Sequence, residues 1–236
     1  MTAPLAVTAR ALLFDMDGTL VDSAASIDRV WREFAARHGL APDTVLAALP
    51  GRTAQDIVAG CLPAADGDTV AAEVARIRER EEGATDAVAE IPGARRLLTS
   101  LPPRAWAVVT SASRTMTERR LAAAGLPLPE VTVCAGDVRA GKPDPEGFRT
   151  AARLLGVDIA DCLLFEDSAP GLLAARRSGG TAVAVAAPAG EAAPYRVDDL
   201  TAVTAHPREG RIRVEIRPSR AHAQSAEGMS AEGIRR

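Results

Sequence analysis

The chain has 236 residues, 47% of them hydrophobic and 25% charged, and 28 Lys and Arg against 31 Asp and Glu give a net charge of −3. This is the composition of a soluble globular chain with room for one large domain, or a core plus a smaller insert. It argues against nucleic acid or a membrane surface as a partner. No apolar run approaches the ~20 residues of a membrane span, and residues 1–10 lack the charged-then-apolar pattern of a signal peptide, so the expected location is cytoplasmic. Cys61, Cys134 and Cys162 are scattered with no C-x-x-C pair, and His38, His206 and His222 lack partners at metal-ligand spacing. Small buried thiols are expected, and for His38 a surface or helix-end role.

In chain order, Ala11 to Phe14 reads as a buried strand that runs out into a loop at Gly18. Ala24 to His38 follows as a helix, with Ile27, Val30, Trp31, Phe34 and Ala35 along one stripe and Gly39 as its stop. Ala41 to Leu49 is a short helix opened by Pro42-Asp43. Thr53 is placed to cap a helix over 54–61, and 69–83 is an amphipathic helix with Val70, Val74 and Ile77 on one face. Residues 24–91 are thus predicted to be helical without a strand.

Helices and short apolar strands then alternate: helix 94–101, strand 106–110, helix 114–124, strand 131–134, helix 145–155, strand 162–165, helix 170–178 and strand 181–186. Such alternation predicts an α/β fold with a doubly wound parallel sheet. Residues 201–205 and 211–216 are expected to pair as late antiparallel strands across 207–210. Residues 219–236, polar and patternless, read as a flexible tail. The predicted division is a core of 1–23 and 92–218, a helical cap of 24–91, and the tail.

Ligands in an open parallel sheet bind at the carboxyl ends of its strands, and four strand ends here carry polar groups. Asp15 and Asp17 leave the first strand two residues apart, side chains pointing the same way with Cα atoms roughly 6–7 Å apart. Two like charges that close repel unless a cation sits between them or one takes a proton, and a hard divalent ion, Mg²⁺, is the simplest answer. Thr110 and Ser111 offer hydroxyl and N–H donors suited to phosphate oxygens where a helix begins. Lys142 is held between Gly141 and Pro143. Glu166 and Asp167 end the fourth strand. Taken singly, each has a plainer account: Thr110 and Ser111 as helix caps, Lys142 as a solvated loop residue, Glu166 to Ser168 as the cap of the next helix. Their occurrence together, in order, at successive strand ends favours the functional reading.

The runs Asp15-Met16-Asp17-Gly18-Thr19, Val109-Thr110-Ser111, Gly141-Lys142-Pro143-Asp144 and Phe165-Glu166-Asp167-Ser168 resemble the four motifs of the haloacid dehalogenase-like (HAD) phosphohydrolases, over about residues 10 to 187. The helical insert resembles the cap of the phosphoglycolate phosphatase and β-phosphoglucomutase branch. The resemblance implies a Rossmann-like HAD core with Asp15 as nucleophile and Asp17 as general acid/base. Lys142 and Thr110 or Ser111 would bind phosphate, and Mg²⁺ would be held by Asp15, the Asp17 backbone carbonyl, Glu166 and Asp167. Dehalogenases lack the second Asp, which is present here, and phosphonatases need a cap lysine, which 24–91 lacks. The mutases carry a cap Arg where this chain has Ala54 and a His where it has Ile27.

The strings around Trp106, Lys142 and the cap loop 49–52 are most similar to sugar- and polyol-phosphate phosphatases, although Pro50 stands where those usually have His. The resulting expectation is a monomeric Mg²⁺-dependent phosphatase of a small phosphorylated metabolite, a sugar or polyol. Arg52 is its candidate substrate-binding residue, or else an ion-paired residue of a helix–loop junction. A phosphomutase and a non-catalytic HAD-like binding protein are the alternatives.

Overall fold

The computed structural model describes residues 4–49, 52–187 and 193–217. In chain order the elements are β1 (Leu5–Ala9), β2 (Ala11–Phe14), β3 (Val21–Asp22), α1 (Ala24–Arg37), α2 (Pro42–Ala47), α3 (Ala54–Cys61), α4 (Gly67–Gly83), β4 (Ala89–Glu90), α5 (Ala94–Thr99), β5 (Trp106–Val109), α6 (Arg114–Ala123), β6 (Val131–Val133), α7 (Glu146–Leu155), β7 (Cys162–Glu166), α8 (Ala169–Ser178), β8 (Thr181–Val185), β9 (Tyr195–Val197), β10 (Val203–Arg208) and β11 (Arg211–Ile216). Six strands form a parallel sheet in the order β6-β5-β2-β7-β8-β9. β2, which carries Asp15 at its end, lies in the middle, between β5 and β7.

Alternation within the strands explains why the sheet is buried on both faces. Leu12 and Phe14 of β2 and Leu163 and Phe165 of β7 join one apolar cluster. Ala11, Leu13, Cys162 and Leu164 join a second, with Phe148 of α7 and Leu172 of α8. Side chains i and i+2 share a face, so two helix layers are satisfied by near-continuous apolar strands. Phe14 stacks on Phe165 with ring centroids 4.7 Å apart. A third cluster is confined to the helical segment: Val30, Trp31, Phe34, Val45, Ile57, Val58, Val70, Val74 and Ile77 from α1 to α4.

Four features depart from the sequence expectation. Residues 24–91 are not strand-free, because Ala89–Glu90 pairs antiparallel with Val21–Asp22; a two-residue pairing has no periodicity to detect. β1 was not foreseen, and it forms a three-stranded antiparallel sheet in the order β1-β11-β10. The late hairpin is longer than expected, with β10 running to Arg208, so that Pro207 lies within it. The turn is then only Glu209-Gly210, both at positive φ (44° and 76°), as a two-residue hairpin requires. Pro207 is tolerated because β10 is an edge strand, where a missing N–H can face water. β9 extends the parallel sheet beyond the expected fifth strand. The expected tail, 219–236, lies outside the described residues.

Candidate active site

The turn after β2 builds the site's floor. Asp15 N donates to Phe165 O (2.9 Å), tying the first strand end to the fourth. The N–H groups of Leu20 and Val21 both donate to Met16 O (2.8 and 3.0 Å), closing a tight loop. Gly18 sits in it at φ +82°, and a Cβ there would lie 2.2 Å from Asp167 Oδ2. Glycine is required twice over, for the backbone and for the approach of Asp167. Thr19 Oγ1 donates to Asp167 Oδ1 across the site (3.3 Å).

Lys142 gathers the carboxylates. Its Nζ donates to Asp15 Oδ1, to Glu166 Oε1 at 2.5 Å and to Val109 O at 3.0 Å. It also lies 5.4 Å from the centre of the Phe148 ring. Among the 28 Lys and Arg of the chain it is the only lysine. That compositional signal escaped the sequence reading: where Arg is used everywhere else, one Lys marks a place that needs a compact point charge. Glu166 is almost fully buried and uses its other oxygen on Ser168, accepting from N (2.9 Å) and Oγ (3.0 Å). A Cβ on Gly171 would fall 1.8 Å from Glu166 Oε1, so the carboxylate occupies space that only a glycine in α8 leaves open.

The charges do not balance. Burial pushes the Asp15 carboxyl well above its ordinary value; Lys142 opposes this, and the charges of Glu166 and Asp167 add to it. Burial and the Glu166 charge push Asp167 up to about 7. Burial would lower Lys142, but Asp15 and Glu166 more than compensate and hold its pKa above the usual value. Three carboxylates therefore share one ammonium. Among the described residues, no three His, Cys, Asp or Glu side chains form a group that could hold a metal ion by themselves. Glu166 is spent on Lys142 and Ser168, and Asp17 is engaged elsewhere. Asp15 and Asp167 remain. A pair of carboxylates whose charge is unbalanced fits Mg²⁺, which keeps several waters and takes only one or two carboxylates from protein.

The remaining sequence candidates separate. Thr110 is buried at the end of β5, and its Oγ1 accepts from Ala112 N (3.1 Å). Ser111 is exposed. Neither caps α6: Ser113 does, accepting from Met116 N. Arg52 is exposed and donates to Asp56 O (3.0 Å) within α3, beside Gly60, so its recorded contacts stay inside the helical segment. Thr53 caps α3 as expected.

Asp17 has two partners that the sequence reading missed. Ser23 Oγ donates to Asp17 Oδ1 at 2.6 Å, and Arg120 Nη1 donates to the same oxygen at 2.7 Å. The signal for Arg120 lay in α6, whose buried positions are Met116, Thr117, Arg120 and Leu121. A charge on an otherwise inward-facing stripe needs a partner.

Comparison with known proteins agrees with this geometry. The family model described as haloacid dehalogenase-like hydrolase matches residues 9–179. Hexitol phosphatase A of Escherichia coli K12 is 40% identical over 182 residues, covering 76% of this chain and 84% of that protein. 2-Deoxyglucose-6-phosphate phosphatase 2 of Saccharomyces cerevisiae is 30% identical over 219 residues, covering 81% and 88%. β-Phosphoglucomutase of Clostridium difficile shares the fold, with a TM-score of 0.69 at 20% identity over 81% of this chain and 92% of that one. With the parallel sheet, the strand-end carboxylates and the lysine in place, the chain belongs to the haloacid dehalogenase-like hydrolases.

Proposed function

We propose that this chain is a Mg²⁺-dependent phosphatase of small phosphorylated sugars or polyols, acting through an aspartyl-phosphate. The observation that carries the proposal is the convergence of Lys142 on both Asp15 and Glu166 at adjacent strand ends, beside Asp167 and Thr110. The names of the relatives supply the substrate class. Asp15 attacks phosphorus, forming an Oδ–P bond as the bond from phosphorus to the sugar oxygen breaks. Asp17 gives a proton to the departing alkoxide. It then takes a proton from the water that attacks the aspartyl-phosphate, releasing inorganic phosphate and restoring both carboxyls. Lys142, buried and fixed by three acceptors, holds positive charge against the phosphoryl oxygens, and the hydroxyl of Thr110 lies at the neighbouring strand end. Mg²⁺, held by Asp15 and Asp167 with the Asp17 carbonyl, and with Glu166 beside them, would supply charge neutralisation to the same oxygens.

The mutase alternative needs a second phosphate-binding cation in the cap. Arg52 is the loop arginine closest in sequence, and it is turned onto the helix that follows it, α3. This supports hydrolysis over transfer back to a sugar. The test is release of inorganic phosphate from hexitol phosphates, 2-deoxyhexose phosphates and p-nitrophenyl phosphate, with Mg²⁺ and with chelator. Mg²⁺-dependent release from at least one sugar or polyol phosphate is expected. Isomerisation of a sugar phosphate without phosphate release, or no turnover of any of them, contradicts the proposal.

A further inference from the structure

Arg120 is buried, its side chain only 3% exposed, yet only part of its guanidinium is used. Nη1 bonds Asp17, while Nε and Nη2 are buried with no partner among the described residues. Unpartnered buried donors cost stability, and a neutral or apolar residue at this point of α6 would avoid that cost. What the arginine does accomplish is local. It and Ser23, at the start of α1, place two donors on one oxygen of Asp17, Oδ1. Two donors on Oδ1 fix the orientation of the carboxyl and leave Oδ2 without a donor among the described residues.

The guanidinium also faces the helical segment. Glu81, near the end of α4, is raised by burial and lowered by the charge of Arg120, and its Oε1 accepts from Trp31 Nε1 (3.2 Å). The next residue, Glu82, is bonded to the same stretch of the core: Ser113 Oγ donates to its Oε1 (2.5 Å) and Arg119 Nη1 to its carbonyl (3.1 Å). Arg120 thus stands where α4 meets α6, with one hand on the acid/base carboxyl.

We propose that Arg120 is a positioning residue for Asp17: together with Ser23 it anchors Oδ1, so that Oδ2 is the oxygen that delivers the proton to the leaving alkoxide. The inference rests on Asp17 being the acid/base group. It predicts a defect specific to leaving groups that need a proton. Arg120→Gln and Ser23→Ala should each lower kcat/KM for a hexitol phosphate by about tenfold or more, because general-acid help is lost for a poor leaving group. For p-nitrophenyl phosphate, whose leaving group departs as a stable phenolate, the same parameter should change by less than about threefold. Arg120→Lys, which restores a donor of the same charge, should recover part of the loss. kcat/KM is the parameter to compare, since it covers only the steps through departure of the leaving group.

Equal losses on both substrates would overturn the proposal and assign Arg120 a structural role. No loss on either substrate in folded variants would overturn it too. If Arg120→Gln does not fold, Ser23→Ala carries the same test through the other donor. Wild-type protein that hydrolyses neither substrate would overturn the phosphatase reading itself and this inference with it.

Discussion

At the scale of single residues, the site is a problem of charge in a confined space, and among the described residues Lys142 is the only cation bonded to Asp15 and Glu166, beside Asp167. An arginine there would carry the same charge on a larger, planar head that cannot reach two carboxylates and the Val109 carbonyl from one point. Lys142→Arg should therefore lower turnover of p-nitrophenyl phosphate by about 100-fold or more; wild-type-like turnover would show that the three contacts are dispensable. Gly171 makes a second test. A methyl there would overlap the Glu166 carboxylate, and forcing such an overlap costs about 1–3 kcal/mol. Gly171→Ala should lower the melting temperature by about 4 °C or more in a chain of this size and reduce activity as well, because Glu166 must move off Lys142. An unchanged melting curve would mean that α8 yields without cost.

At the scale of elements, the sequence was most legible where periodicity and chemistry coincide. β2, β5, β7 and β8 are apolar runs long enough to read, and the helices of 24–83 announce themselves through stripes such as Val70, Val74 and Ile77. Local rules sufficed for the Thr53 cap and for the four polar strand ends. Two of the failures share one physical cause, which is that the partner lay far away in sequence. β1, LAVTA, is too mixed to read as a strand alone; it exists because β11 offers it an antiparallel partner more than 200 residues on. The bond from Thr19 to Asp167 was not foreseen because nothing local says that Asp167 comes to meet it. Removing residues 1–9 should expose the edge of β11 and uncover Ile212, Val214 and Ile216, lowering the melting temperature by about 4 °C or more and promoting aggregation. Full retention of stability would make β1 ornamental. Arg52 belongs to this scale also. The bond from its guanidinium to Asp56 O ties it into α3. If it serves the substrate as well, Arg52→Ala should lower kcat/KM for the best sugar phosphate by about tenfold while sparing p-nitrophenyl phosphate. Equal losses on both, read by the same assay, would leave it a structural role alone.

At the scale of the whole molecule, the central parallel sheet fixes the carboxylates and the lysine, and the helical segment packs around a separate apolar cluster. In the proposed reaction the core residues act on the phosphoryl group and the leaving oxygen, which every substrate of this class shares, so recognition of the rest of the leaving group is left to the helical segment. The unbalanced charge of the core has a consequence for stability. A cation that binds the folded chain alone stabilises it by mass action, and saturating Mg²⁺ should raise the melting temperature by about 5 °C or more. Asp167→Asn should abolish most of that rise, and an equal rise in the variant would place the ion elsewhere. The proposed reaction rests on covalent chemistry at Asp15, and the most direct measurement is mass analysis of the Asp17→Asn variant quenched in acid after mixing with p-nitrophenyl phosphate and Mg²⁺. Attack by Asp15 survives there for a leaving group that needs no proton, while hydrolysis of the intermediate lacks its base. One added phosphoryl group, located on Asp15, is the predicted result; a variant that turns substrate over with no phosphate on Asp15, or carries it on another residue, would contradict the account.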